Sequence, residues 1–157
     1  SLKLQAMRAT VILQKDIPEP PEPTPLIYAD PQRMKQVLNN LVTNAIKFTP
    51  PSGTVTIRVR PHPSKEHMLL FAVIDTGDGI PLEDQPHVFE RFYQSNHAMQ
   101  SKMGGYGLGL SIARLIVEQH GGEIYFESIP QENAESDSPH GTTFYFTAPL
   151  YAGQDEE

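Results

Sequence analysis

The chemistry this chain can offer lies in three side chains on one predicted helix, a carboxylate at the end of an apolar run, and two glycine-rich segments. Asn40, Asn44 and Lys47 stand four and three residues apart. At about 100° per residue they fall within roughly 60° of one another on a helix. Two carboxamide oxygens suit Mg²⁺, a hard cation that keeps several waters and accepts few protein oxygens, and the Lys47 ammonium supplies a point charge for phosphate. Asparagine costs about 0.5 kcal/mol or more against alanine inside a helix, yet Asn39, Asn40 and Asn44 share this one. A satisfied polar edge is the ordinary alternative for such a stripe.

Asp75 follows six apolar residues, 69–74, so its carboxylate sits where a buried strand ends, a costly place unless it is hydrogen-bonded. Gly77 and Gly79 permit positive φ or a close backbone approach in the turn that follows. An acceptor at the floor of an apolar pocket reads an amino group, although the same Asp-x-Gly-x-Gly pattern also serves as a turn cap. Gly105, Gly107 and Gly109 alternate ahead of an amphipathic segment, where backbone amides and a positive helix terminus can meet phosphate oxygens. A glycine run of this kind is weak evidence by itself.

The elements that must position these groups are legible from periodicity. Residues 7–14 (MRATVILQ) carry β-branched side chains and predict a strand, and the proline-rich residues 17–25 predict an extended connector. Asp30 reads as an N-cap with Pro31 at the first helical position, opening a helix to about Phe48. Met34, Val37, Leu38, Leu41, Val42, Ala45 and Ile46 form its apolar face, and Pro50, Pro51 and Gly53 stop it. Residues 54–60 alternate as a strand with one wet face, and residues 69–74 predict a strand covered on both sides. A short helix is expected over residues 86–92, followed by a polar stretch without periodicity, 94–103. Residues 108–120 repeat a helical pattern with Ile112, Leu115 and Ile116, ended by Gly121 and Gly122. Residues 123–128 and 142–148 then predict a strand hairpin around a long acidic loop.

Five segments fall in one order: 40–49 (NLVTNAIKFT), 75–80 (DTGDGI), 89–93 (FERFY), 104–110 (GGYGLGL) and 141–144 (GTTF). In that order the chain resembles the ATP-binding domain of sensor histidine kinases, in the GHKL superfamily, through its N, G1, F, G2 and G3 boxes. The resemblance covers nearly the whole chain. It implies the Bergerat ATP-binding fold, an α+β two-layer sandwich of a mixed, mostly antiparallel sheet packed against about three helices. The domain is expected over residues 1–153, with a disordered acidic tail at 154–157.

The resemblance also implies ATP and Mg as cofactors and assigns roles by position. Asn44 and Lys47 would bind metal and phosphates, with Asn44 as the metal ligand; Asn40 would assist, and these three form the expected catalytic set. Phe48 would line the nucleotide. Asp75 would receive the adenine exocyclic amine in a turn completed by Gly77, Gly79 and Ile80. Residues 94–103 would form an ATP lid anchored by Phe89 and Phe92 and hinged by the glycines. Tyr93, Lys102, Gly105, Tyr106, Gly107, Leu108 and Gly109 are the further nucleotide-binding positions. Thr142 or Thr143 would lie at the base end. One position departs from the pattern: many members carry arginine after the aromatic pair, and here Gln94 stands there. Arg91, Lys102 and Lys47 remain alternative sources of that charge, and a degenerate module that docks without transferring phosphate is the matching alternative function.

Related hydrolases of the superfamily carry a glutamate four residues before the metal-binding asparagine, as general base for water. Asn40 occupies that position and takes no proton at neutral pH, so transfer is expected over hydrolysis. The acceptor in the family is a histidine on a separate dimerisation domain, and none of the six histidines here sits in that pattern. A fragment of a larger kinase is therefore expected, partnered by the histidine-containing dimerisation domain and, through the full-length protein, by a response regulator.

Composition narrows the remaining classes. The 157 residues suffice for one domain and one core. Nineteen acidic against twelve scattered basic residues give a net charge of -7, which disfavours nucleic acid. No apolar run approaches the roughly 20 residues needed to span a bilayer, so no membrane contact by this domain is expected. A cytoplasmic location is expected, within a parent protein that can be membrane-anchored. The absence of cysteine removes disulfides and thiolate metal sites, and the histidines lack ligand spacing.

Overall fold

The computed structural model describes residues 1–17, 29–91, 109–130 and 140–150. In chain order they form α1 (Leu2–Ala9), β1 (Ile12–Asp16), α2 (Pro31–Lys47), β2 (Thr54–Pro61), β3 (Met68–Asp75), a 3₁₀ turn (Gln85–His87), α3 (Gly109–Gln119), β4 (Ile124–Ile129) and β5 (Gly141–Pro149). The strands make one sheet in the order β1-β2-β3-β5-β4. β1 runs parallel to β2, and every other pairing is antiparallel. A parallel pair needs a crossover, and α2 lies in it.

α2 forms where the sequence signals it. The Asp30 carboxylate accepts from the backbone N–H groups of Gln32 and Arg33, Pro31 opens the first turn, and Phe48 closes the helix by donating its N–H to the Asn44 carbonyl. Met34, Val37, Leu41, Val42, Ala45 and Ile46 are buried along its inner face. Each large one contributes about 1.5–3 kcal/mol through removal from water. Leu110, Ala113, Ile116 and Val117 of α3 and Ala6 of α1 join them over Val55, Val73, Phe144, Phe146 and Ala148 of the sheet. Every sheet residue in this cluster has the same register parity, so the helices form one layer on one face.

Four expectations are corrected. Met7, Arg8 and Ala9 belong to α1 and not to the first strand, which begins at Ile12. Ser1 caps that helix, Thr10 ends it in the left-handed region at φ 57°, and Ala6 packs into the core, so tertiary burial outweighs the local β-branched composition. Among the described residues, helices cover only one face of β3. Its second face carries Ala72 between Arg58 and Tyr145, with Leu70 and Ile74 half-buried. Among the described residues the expected helix at 86–92 is only the 3₁₀ turn, whose N-cap Asp84 makes no capping bond. Leu115 is 56% exposed and lies outside the core face of α3. The acidic loop at 131–139 and the tail lie outside the described residues.

Candidate nucleotide site

α2 and β3 meet at their C-terminal ends, and the cavity lies there. Asn44 and Phe48 from α2, Asp75 from the end of β3, Gly79 and Ile80 from the following turn, and Thr142 and Phe144 from β5 line it. Antiparallel pairing sets Asp75 directly opposite Thr142. The period of two along β5 then brings Phe144 to the same face.

Asp75 is 8% exposed. Its Oδ1 accepts from the backbone N–H of Gly77 at 2.9 Å and of Thr142 at 3.1 Å. Among the described residues these are its hydrogen bonds, and both fall on Oδ1. Burial pushes the carboxyl up to about 6, against the two backbone N–H groups and His140, which pull it down; Asp78 adds to the rise. A carboxylate held in this way is an acceptor with a strong demand for a donor.

The glycine turn is built by contact as well as by freedom. A Cβ on Gly77 would stand 2.3 Å from the Phe48 carbonyl oxygen, so this residue must be glycine for the turn to seat against the end of α2. Gly79 has φ +78°, and its Cβ would meet the Ile129 carbonyl at 2.5 Å. The His140 ring donates from Nδ1 to the Gly77 carbonyl, and Ser128 Oγ accepts from the Ile80 N–H at 2.8 Å.

At the other end, the Asn40 amide donates to the carbonyl of Gly109, the first residue of α3, at 3.1 Å. Asn40 therefore ties α2 to the start of α3. Lys47 is half-buried in the last turn of α2 and has no ion pair or hydrogen bond among the described residues. Phe89 packs edge-on against Phe144 at 6.2 Å, with the Arg114 guanidinium 5.5 Å from its ring centre. No cluster of three or more His, Asp or Glu side chains able to hold a metal occurs among the described residues. One amide oxygen beside a cavity fits a cation such as Mg²⁺ that is carried mainly by waters and substrate phosphates.

Of the residues singled out from sequence, the cavity brings together Asn44, Phe48, Asp75, Gly79, Ile80 and Thr142, with Gly77 directly behind them. Thr143 lies on the opposite face of β5, between Ile74 and Glu127. Tyr93, Lys102, Gly105, Tyr106, Gly107 and Leu108 lie outside the described residues, as do Phe92 and Gln94. Phe144, Ser128 and His140 were not anticipated. Strand periodicity could have found the first two: Ser128 shares a face with Ile124 and Phe126, where a hydroxyl needs a partner.

Comparison with known proteins agrees with this fold. Residues 29–152 match the family described as histidine kinase-, DNA gyrase B-, and HSP90-like ATPase. The chain is 37% identical over 142 residues to the adaptive-response sensory kinase SasA of Microcystis aeruginosa, covering 90% of this chain and 33% of that protein. It thus spans about a third of the length of that relative. It superposes on the mycobacterial sensor histidine kinase MprB with a TM-score of 0.75 and 26% identity, covering 95% of this chain and 90% of the other. Full-length ShkA in complex with AMPPNP gives a TM-score of 0.71 at 27% identity, covering 95% of this chain and 28% of ShkA.

Proposed function

This chain belongs to the histidine kinase-, DNA gyrase B- and HSP90-like ATPase family, and from that premise we propose that it binds ATP with Mg²⁺ and presents the γ-phosphate to a histidine on a separate dimerisation domain. The observation that carries this reading is the single cavity shared by Asn44 and Asp75. In it, the Asp75 carboxylate accepts from the adenine amine, Thr142 stands beside it, and Phe48, Ile80 and Phe144 provide the apolar walls. The phosphates extend past Asn44 toward Lys47 and the start of α3. The complex of ShkA with AMPPNP, a triphosphate analogue, supports the choice of ligand.

Mg²⁺, when bound, neutralises charge on the phosphates, and Asn44 is the residue that would hold it. The chain's own part is placement and charge: Asn40 fixes α3 against α2, and Lys47 offers an ammonium to phosphate. An imidazole nitrogen of the acceptor histidine attacks the γ-phosphorus while the bridging oxygen leaves with ADP. Asn40 cannot accept a proton from water, so hydrolysis is slow. The phosphoryl group then passes to a response regulator through the full-length protein. For Tyr93, Lys102, Gly105, Tyr106, Gly107 and Leu108, which lie outside the described residues, and for Gly109 at the start of α3, the proposed role is the nucleotide binding that the resemblance implies. No helix among the described residues is long and apolar enough to cross a membrane; we place the domain in the cytoplasm, with membrane attachment left to the parent protein.

The test is nucleotide titration in the presence of Mg²⁺, followed by addition of a matching dimerisation domain. Saturable ATP binding and an acid-labile phosphohistidine are expected. ATP binding without phosphohistidine would instead support the docking-only module, and steady phosphate release without acceptor would support a true ATPase.

A further inference from the structure

Residues 140–142 hold the turn that follows β3 at three points. The Thr142 N–H donates to Asp75 Oδ1 at 3.1 Å. Gly141, at φ +140°, lies so close that a Cβ there would stand 2.2 Å from the Asp75 carbonyl oxygen. The His140 ring reaches further along the turn and donates from Nδ1 to the Gly77 carbonyl. A carbonyl oxygen has no proton to offer, so Nδ1 must carry one, whatever the state of Nε2. Backbone makes the first two holds; the third depends on one side chain.

Gly77 and Gly79 stand two apart in this turn, and glycine leaves a chain the most conformational freedom to lose. A tie from outside the turn therefore has something to restrict. Among the described residues, the Gly77 carbonyl accepts from His140 and from no backbone N–H. The N–H of the same residue donates to Asp75 Oδ1 at 2.9 Å, and its Cα is seated against the Phe48 carbonyl. Asp75, Phe48 and Gly79 all line the cavity, so a shift at Gly77 moves the wall on more than one side.

We propose that His140 is a positioning residue for the nucleotide: its ring, by holding the Gly77 carbonyl, keeps the turn in the form in which the Gly77 N–H meets the Asp75 carboxylate, and so sets the affinity of the base end of the cavity. The inference rests on the nucleotide reading above and gives His140 no contact with the ligand. A charge on the ring also favours the ionised form of Asp75, against Asp78, which opposes it.

The experiment joins calorimetric titration of adenosine, and of ATP with Mg²⁺, to a carbon NMR titration of the Asp75 carboxyl, in the wild type and three variants. His140→Ala should weaken both ligands by the same factor, about three- to tenfold, the scale of one hydrogen bond. His140→Asn should restore both affinities, because its Nδ2, like the histidine Nδ1, is bonded to Cγ and donates from the same place. His140→Gln carries its donor one bond further out and should not restore them. The Asp75 carboxyl, at about 6 in the wild type, should titrate higher in His140→Ala, and by less in His140→Asn, which keeps the tie and lacks only the charge. If the alanine variant does not fold, the Asn and Gln variants carry the comparison. Adenosine affinity unchanged in His140→Ala would overturn the inference and leave the ATP reading intact. Asn and Gln variants that behave alike, with the Asp75 titration unmoved, would make His140 structural only and overturn it too. A folded wild type that binds neither ligand removes the nucleotide reading and this inference with it.

Discussion

Asn44 on α2 and Asp75 at the end of β3 face the same cavity, although they come from different layers of the sandwich. The relationship is produced by the close seat of the glycine turn under Phe48, which brings the end of the strand against the end of the helix. An amide and a buried carboxylate thus bound one space.

The Asp75 carboxyl gives the domain an inverted acid response. Its folded value of about 6 lies above the unfolded 3.8. Between those values the folded chain holds a proton that the unfolded chain has lost, so Asp75 costs folding stability as pH rises through the window. By linkage that cost reaches on the order of 2–3 kcal/mol at neutral pH. Asp75→Asn should therefore stabilise the ligand-free domain more at pH 7 than at pH 4, read by urea unfolding at the two values.

ATP affinity should respond in the opposite sense. The amine needs the ionised carboxylate, so binding should weaken as pH falls below about 6. Calorimetric titration from pH 5 to 8 should show that loss in the wild type and a flat, weaker profile in Asp75→Asn.

Replacing Gly79 with alanine should cost about 1–3 kcal/mol of stability, because φ +78° strains an L-residue and the new Cβ would press on the Ile129 carbonyl. The denaturation midpoint should fall. ATP affinity at a temperature where the variant remains folded should fall as well, since Ile80 follows directly and lines the cavity.

Leu41→Ala tests the frame that carries the site. Leu41 is fully buried in α2 among the core side chains shared with α3. A loss of about 2–5 kcal/mol in unfolding free energy is expected.

The sequence made α2 readable because its signals are local: an N-cap, a proline at the first turn and apolar residues at helical steps, all confirmed by the caps and burial of that helix. The alternation of residues 54–60 located β2 for the same reason. α1 was misread because Val11 and Ile12 favour a strand, while the turns before them are helical through a Ser1 cap and the packing of Ala6. Leu115 was misread because apolar spacing does not say which flank of a helix meets the sheet. The motif residues drew attention to Asp75 and Thr142 together, but no local signal separates Thr142 from Thr143; the Asp75–Thr142 register does. Ser128 was within reach of strand periodicity, whereas His140 became visible only through its bond to Gly77, far away in the chain.

The central claim is that one cavity holds a nucleotide with its base at Asp75 and its phosphates at Asn44. The direct measurement is calorimetric titration of adenosine and of ATP with Mg²⁺ into the wild type, Asp75→Asn and Asn44→Asp. Asp75→Asn is predicted to weaken both ligands, and Asn44→Asp to weaken ATP with Mg²⁺ while leaving adenosine unchanged, each on the order of tenfold or more. A folded wild-type chain that takes up neither ligand, or an Asn44→Asp variant that weakens adenosine and ATP alike, would contradict the account.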